Sequence, residues 1–116
     1  MTDLDRFLPL TPLSHAILVA LAGEVLHGYA IMKAVDEQSG GRVRTGTGTL
    51  YAALQRMEDD GLIVLRDPEE AAGADARRRY YGLTDLGRSV GRAEAARLSS
   101  LLELAGRRQL GPESTA

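Results

Sequence analysis

Three segments in the first half of the chain repeat apolar residues at the three- and four-residue spacing of amphipathic helices. The first begins after Thr11-Pro12, which combines a capping hydroxyl with a proline suited to the first helical position, and ends near Gly23. The second spans about Gly28 to Ser39 and stops at Gly40-Gly41. The third spans about Thr49 to Asp60. Its apolar stripe consists of Leu50, Ala53, Leu54 and Met57.

The second half of the chain changes to a strand pattern and then returns to a helical one. Leu62–Arg66 and Arg79–Leu83 are short runs typical of strands. The stretch 67–76 between them contains proline, glycine and four acids, which predicts a hairpin with a long, mobile tip. Thr84 is expected to cap a last helix that reaches about Arg108.

The order of three helices, a hairpin and a long helix is that of a winged helix-turn-helix with a C-terminal dimerisation helix. The expected fold class is therefore mainly α with a small β-hairpin. Residues 1–83 would form the DNA-binding domain, 84–110 a dimerisation helix within the same compact unit, and 111–116 a flexible tail. Tyr80 and Tyr81 alternate along a strand, which predicts one ring in the core and the other on the wing surface.

Composition narrows the function classes. A hydrophobic share of 44% in 116 residues suits one domain with a modest core. The absence of cysteine removes disulfides and thiolate zinc sites, and two histidines cannot form a zinc site alone, so no metal or cofactor is expected. No apolar run reaches the roughly 20 residues of a membrane span, and the acidic N-terminal stretch is unlike a signal peptide. We therefore expect a cytoplasmic protein without membrane contact.

The net charge of −2 does not favour nucleic acid as a partner, but the charges are unevenly distributed. The stretch between Gln38 and Met57 holds no acid and carries Arg42, Arg44 and Arg56. A second cluster, Arg77–Arg79, would lie at the start of the second wing strand. We expect both clusters to contact the DNA backbone, the alternative being solvated loop and strand ends. The acids at 58–60 and in the wing tip are interpreted as solvated surface.

The third helix is the candidate recognition helix, with Thr47 or Thr49 as its cap. Rotation by about 100° per residue from its apolar stripe places a second set of side chains outward. The outward set is Gly48, Ala52 and Gln55, flanked by Thr49, Tyr51 and Arg56. Gln55 suits an adenine edge, Arg56 a guanine or a phosphate, and the Tyr51 hydroxyl a phosphate oxygen. The alternative is an ordinary amphipathic surface helix.

Seven short motifs occur in the order and spacing of a known family. They are Leu26-His27-Gly28-Tyr29, Ser39-Gly40-Gly41, Gly48-Thr49-Leu50-Tyr51, Leu54-Gln55-Arg56-Met57-Glu58, Gly61-Leu62-Ile63, Arg78-Arg79-Tyr80-Tyr81 and Leu83-Thr84-Asp85-Leu86-Gly87. The resemblance that they carry spans the chain from about Leu13 to Arg88. On these residues the chain resembles the PadR-like transcriptional regulators.

The resemblance implies a homodimeric winged-helix DNA-binding protein that usually represses transcription. It identifies Tyr51 as the family tyrosine near the start of the recognition helix and places His27–Tyr29 at the N-terminus of the second helix, where phosphate is favoured. The sequence departs from the family pattern at Thr47 and Ala52, where these proteins commonly have proline. The candidate DNA-binding residues are His27, Gly28, Tyr29, Arg42, Arg44, Thr47, Gly48, Thr49, Tyr51, Ala52, Gln55, Arg56, Arg77, Arg78 and Arg79.

The last helix carries an apolar seam that is too wide for a three-helix core of this size to cover, which predicts a partner chain. The alternative is a helix folded back within the monomer. The interface candidates are Val90, Ala95, Leu98, Leu101, Leu102 and Ala105. Some short PadR-like proteins bind aromatic or drug-like effectors between the dimer halves, and with 4% aromatic residues here the question of a small-molecule effector stays open.

The function expected is a regulator that binds an inverted-repeat operator as a homodimer and blocks polymerase, with repression favoured over activation by the resemblance alone. One rival is a winged-helix module for protein contacts, in which the third helix docks on a partner protein. The other is a small enzyme, which lacks paired carboxylates, a nucleophile with its base, or metal ligands at workable spacing. We therefore expect no catalytic activity.

Overall fold

A computed structural model describes residues 3–71 and 75–113. A 3₁₀ turn, Asp5–Phe7, precedes the first helix, and a second, Pro68–Glu70, lies in the wing. The helices are α1 (Pro12–Ala20), α2 (Gly28–Gln38), α3 (Thr47–Asp59) and α4 (Asp85–Arg107). The strands are β1 (Leu26–His27), β2 (Ile63–Arg66) and β3 (Tyr80–Leu83).

The helix caps agree with the sequence at two ends and differ at one. The Thr11 hydroxyl accepts a hydrogen bond from the Ser14 amide at the start of α1, and the Thr84 hydroxyl accepts one from Gly87 at the start of α4. The predicted Thr47 or Thr49 cap of α3 is wrong, because the helix starts earlier and Gly46 occupies the cap position without a side-chain acceptor. Thr47 is thus the first helical residue, a position that also accommodates proline.

The wing is part of a three-stranded antiparallel sheet rather than a simple hairpin. Its strand order is β1-β3-β2, so β3 is the central strand. Leu26 pairs with Tyr81 and His27 with Tyr80 on one side, while β2 pairs with the whole of β3 on the other. The two-residue strand β1 was not predicted, because two residues are too few to show an alternating pattern.

Both wing tyrosines are buried, so the prediction of one core ring and one surface ring is wrong. Tyr81 belongs to the main core. Tyr80 is covered on the other face of the sheet. The His27 ring lies edge-on to the Tyr80 ring, with 5.6 Å between the ring centroids, and the Asp75 amide donates a hydrogen bond to the Tyr80 hydroxyl at 2.7 Å. A central strand with cover on both faces does not follow the one-sided burial of a hairpin.

The core lies between α1, α2, α3, the sheet and the first half of α4. Its fully buried members include Ile17, Leu21, Ile31, Leu50 and Leu54, and the last two belong to the apolar stripe predicted for the third helix. Val90 is also fully buried there. The prediction of Val90 as a dimer-interface residue is therefore wrong, because its side chain is enclosed by its own chain.

The segment before α1 is held against α4 by a buried carboxylate. Glu94 is only 2% exposed, and its Oε2 accepts a hydrogen bond from the Leu10 amide at 3.1 Å. Arg97 donates to the same carboxylate, from Nε to Oε1 at 2.6 Å and from Nη2 to Oε2 at 3.1 Å. These hydrogen bonds, led by that from Arg97, lower the pKa of Glu94 against the opposing effect of burial. Glu94 is therefore a charged anchor between the N-terminal segment and α4.

The whole arrangement is a winged helix-turn-helix, mainly α with a small sheet, followed by a long helix. Residues 108–113 continue beyond α4 without a further helix or strand. The tail predicted at 111–116 lies partly outside the described residues, as does the centre of the predicted wing tip, 72–74. None of the helices in the described part of the chain combines the length and apolarity that a membrane span requires.

Candidate nucleic-acid interface

Helix α3 has the two faces that a recognition helix requires. Its apolar stripe of Leu50, Ala53, Leu54 and Met57 is buried against the core. The predicted outward residues are all exposed, namely Gly48, Thr49, Tyr51, Ala52, Gln55 and Arg56, and so is Thr47, which was predicted as a cap. Small side chains occupy the middle of this face, so the backbone of α3 can approach a groove closely.

Two polar side chains on α3 differ in their present partners. The Gln55 amide nitrogen donates a hydrogen bond to Asp59 Oδ1 at 3.0 Å, one turn further along the helix. Arg56 takes part in none of the ion pairs formed within residues 3–71 and 75–113. Gln55 must therefore exchange a partner to contact a base, whereas Arg56 need not.

His27 caps α2, a role that the sequence did not reveal. Its Nδ1 accepts a hydrogen bond from the Ala30 amide at 3.1 Å and lies 3.2 Å from Arg78 Nη1, a second donor. An Nδ1 that accepts from two donors carries no proton, so the ring is neutral with its proton on Nε2. Burial, and then the charge of Arg78, lower the pKa of His27 against the opposing effect of Asp75, which keeps the ring neutral at pH 7.

Tyr51 joins α3 to the first turn of α2. Its hydroxyl lies directly over Gly28, at the point where a Cβ on that glycine would stand. Tyr51 is 44% exposed, and its hydroxyl lies at the first residue of α2. The first amides of a helix have no partner within the helix, and they attract anions.

Two of the three wing arginines form ion pairs with an acid, which the sequence did not predict. Asp75 receives two hydrogen bonds from the Arg77 guanidinium, both at 3.1 Å, and Arg78 Nε lies 3.8 Å from its Oδ2. The hydrogen bonds from Arg77 lower the pKa of Asp75. Arg79 is exposed and makes no ion pair among the described residues. The sequence placed an acid two residues before the cluster but did not show that it would fold back onto it.

The loop before α3 carries the two arginines Arg42 and Arg44. The Val43 amide donates to Ser39 Oγ at 2.8 Å, and the Val43 side chain packs against the core, so the loop is pinned between them. Arg42 is exposed, and Arg44 Nε lies 3.3 Å from Asp36 Oδ1 on α2. Two acids from outside the predicted acid-free stretch therefore contact it, Asp36 at Arg44 and Asp59 at Gln55.

The second half of α4 presents the remaining interface candidates. Leu98, Leu101 and Leu102 are between 38% and 55% exposed, Ala95 is exposed and Ala105 is half-buried. Leu104, Leu110 and Val19 of α1 are also exposed and were not predicted. Within the described residues no three His, Asp or Glu side chains gather as a metal site would require.

A family model and solved structures both identify the same regulators, and one curated relative matches the chain by sequence. Residues 17–93 match the family model described as the transcriptional regulator PadR-like family. The chain is 42% identical over 91 residues to a 37.1 kDa protein of transposon TN4556 from Streptomyces fradiae. That match covers 78% of this chain and 23% of the relative, so the chain spans less than a quarter of that protein.

Solved structures agree with the fold. Bacillus subtilis PadR in complex with operator DNA has a TM-score of 0.59 and 27% identity, over 73% of this chain and 46% of that one. A PadR family transcription regulator from Clostridium difficile has a TM-score of 0.68 and 24% identity, over 85% of this chain and 99% of that one. Members of the matching family are transcription regulators and not enzymes. The chain belongs to the PadR-like family of transcriptional regulators.

Proposed function

We propose that the protein binds double-stranded DNA sequence-specifically as a homodimer and represses transcription. The observation that carries the proposal is a continuous line of contacts from the recognition helix to the wing. Tyr51 on α3 lies over Gly28 at the start of α2, the neighbouring His27 caps α2, and Arg78 at the wing lies against His27. Three elements of the fold thus contribute to one surface.

This surface suits a phosphate beside a major groove. The amides at the start of α2, the Tyr51 hydroxyl, the Nε2 proton of neutral His27 and the charge of Arg78 are all donors or cations. With a phosphate held there, the small outward residues of α3 would face the base edges, within reach of Gln55 and Arg56. The exposed Tyr29 ring is stacked with the His27 ring, with 6.4 Å between the ring centroids, and extends the same surface.

The arginines at both sides of α3 supply the long-range attraction. Arg42 and Arg44 precede the helix, and Arg77, Arg78 and Arg79 lie at the wing. Each phosphate that such a cation neutralises releases counterions, which raises affinity and makes it salt-dependent. Since Asp75 and Asp36 hold three of these arginines in the free chain, DNA must replace those ion pairs on binding.

The homodimer is proposed on the exposed seam of α4, with Ala95, Leu98, Leu101, Leu102 and Ala105 packed on the same residues of a second copy. A two-fold dimer places two α3 helices about one helical turn of DNA apart, about 34 Å, which fits an inverted repeat. Occupation of that operator in the cytoplasm would exclude polymerase. The two winged-helix units of such a dimer can differ in their relative orientation. A small-molecule effector would release the operator only if it bound the DNA-bound orientation and the released one with different affinity.

The test is a fluorescence anisotropy titration with DNA from upstream of the protein's own gene, at two salt concentrations. Tyr51→Ala and Arg56→Ala are expected to weaken binding at least tenfold each. Arg107→Ala is the matched control, because Arg107 is an exposed arginine at the far end of α4, paired with Glu103. Binding by the unmodified protein that is insensitive to salt, or equal losses in all three variants, would contradict the proposal and favour a protein-binding module.

A further inference from the structure

The backbone conformation at position 28 does not require glycine. It is the first residue of α2, and its φ lies outside the left-handed region, unlike those of Gly40 and Gly41 at +62° and +79°. Alanine is favoured over glycine in helices by about 1 kcal/mol. Local conformation therefore gives no reason for glycine at this position.

The reason lies in the space above it. A Cβ on Gly28 would stand 2.6 Å from Tyr51 Cζ and 2.9 Å from Cε1, and closer still to the hydroxyl oxygen. By comparison, a Cβ on Gly46, Gly48 or Gly106 would meet no atom within 4 Å. The phenol end of Tyr51 thus occupies the volume that any other residue at 28 would fill.

Tyr51 is not held there by burial. Its ring is 44% exposed, whereas the neighbouring Leu50 and Leu54 on α3 are fully buried. A half-exposed ring gains little from packing alone, so its position depends on what it rests on. It rests on Gly28 at the start of α2, where the absence of a side chain leaves room for the hydroxyl.

We infer that Gly28 is a positioning residue for DNA binding, which acts by seating the Tyr51 hydroxyl beside the α2 N-terminus so that both donate to one phosphate. The inference rests on the proposed DNA binding and assigns Gly28 a role through Tyr51 rather than a contact of its own. Because the hydroxyl is neutral, the contact it makes adds affinity without releasing a counterion. Its loss should therefore leave the salt dependence of binding unchanged.

The experiment is a double-mutant cycle on Gly28→Ala and Tyr51→Phe, with a fluorescein-labelled duplex about three helical turns long. Each single variant is expected to bind about tenfold more weakly, the loss of one hydrogen bond to a charged group. The double variant is expected to bind no more weakly than either single variant. The hydrogen bond from the Tyr51 hydroxyl is already absent in Tyr51→Phe, so displacing the ring removes no further contact. Arg78→Ala should reduce the slope of log affinity against log salt by about 1, and Gly28→Ala should not.

Two further variants keep the result interpretable. Tyr51→Ala makes room for a methyl group, so Gly28→Ala should fold and cost no affinity in that background even if it unfolds the unmodified chain. Gly106→Ala is the control for the glycine-to-alanine change itself and should bind as the unmodified protein does. Normal affinity in folded Gly28→Ala, or losses that multiply in the double variant, would overturn the inference.

The two proposals fail separately. If the unmodified protein shows no salt-sensitive binding to any duplex, the proposed function is wrong. In that case thermal melts of the same cycle still report whether Gly28 and Tyr51 are coupled in the fold. If binding is present and the cycle is additive, only the positioning role of Gly28 is wrong.

Discussion

The two halves of α4 carry similar apolar residues and have opposite surroundings. In the first half Gly87, Val90 and Glu94 are buried, and the helix packs on α1 and the sheet. In the second half Leu98, Leu101 and Leu102 are exposed. The first half is therefore part of the winged-helix core, while the second is an apolar surface that the described chain leaves uncovered. One amphipathic period runs through both, so periodicity identifies an apolar face without identifying what covers it.

The largest effect is expected at the exposed half. Leu98→Lys with Leu102→Lys should weaken dimerisation by at least a hundredfold, because each leucine removed from an interface forfeits about 1.5–3 kcal/mol and each lysine adds a desolvation cost. Sedimentation equilibrium measures the dissociation constant. Ser100→Lys, about 200° around the helix from Leu98, is the control. A monomeric unmodified protein, or equal association of both variants, would show that this surface is not the interface.

The next effect is expected at the buried half, in folding rather than association. A Cβ on Gly87 would strike the Leu62 carbonyl, which is backbone and cannot turn away. Gly87→Ala should therefore lower the free energy of unfolding by about 3 kcal/mol in urea titration. Gly91→Ala is the matched control, since its Cβ would meet Leu18 at an ordinary 3.8 Å. Comparable stability of the two variants would contradict the close approach of α4 to Leu62, the residue before β2.

A smaller loss is expected at Val90. Val90→Ala removes buried methyl groups and should cost about 2 kcal/mol of folding stability, because the fully enclosed site cannot refill the cavity completely. Dimerisation should be unchanged, in contrast to the leucine variants. A weakened dimer with normal folding stability would instead restore Val90 to the interface and move the boundary between the two halves.

The smallest effect is expected from Glu94, at that boundary. Because its pKa is lowered in the folded chain, its carboxylate stabilises the protein above the ordinary glutamate pKa, and this stability is lost as pH falls through the lowered value. Glu94→Gln should therefore lower the melting temperature at pH 7 and reduce its dependence on acid pH. Glu103→Gln, in an exposed pair with Arg107, should leave the melting temperature at pH 7 unchanged. Identical acid profiles for the Glu94 variant and the unmodified protein would contradict this role.

Local patterns predicted the parts of the fold that depend on near neighbours. The threonine caps at 11 and 84 and the buried stripe of α3 involve residues three or four apart, and the structure has them as expected. The Gly40-Gly41 stop of α2 likewise depends on backbone conformation alone, since both residues adopt positive φ. Such features can be inferred from sequence because the partner positions are fixed by helix geometry.

Most of the missed features join distant parts of the chain, whereas the caps of α2 and α3 and the pairing of Asp75 with Arg77 are local exceptions. β1 exists only because β3 pairs with it, and Tyr80 is buried only because His27 and Asp75 cover it. Val90 could not be told from Leu98 by spacing, because both lie on the apolar side of one helix. The contact of Tyr51 with Gly28 joins residues 23 positions apart along the chain, and the motif glycine alone did not show it.

His27 belongs to β1 and also caps α2, so strand and helix meet without a linker. A chain segment with no intervening residues has no dihedral angles free to absorb a rotation, and the wing and the second helix must therefore turn together. A bound effector could therefore change little in the orientation of the wing relative to α2 within one winged-helix unit. In the proposed dimer, such an effector would instead change the angle or distance between the two winged-helix units, which the exposed half of α4 would connect.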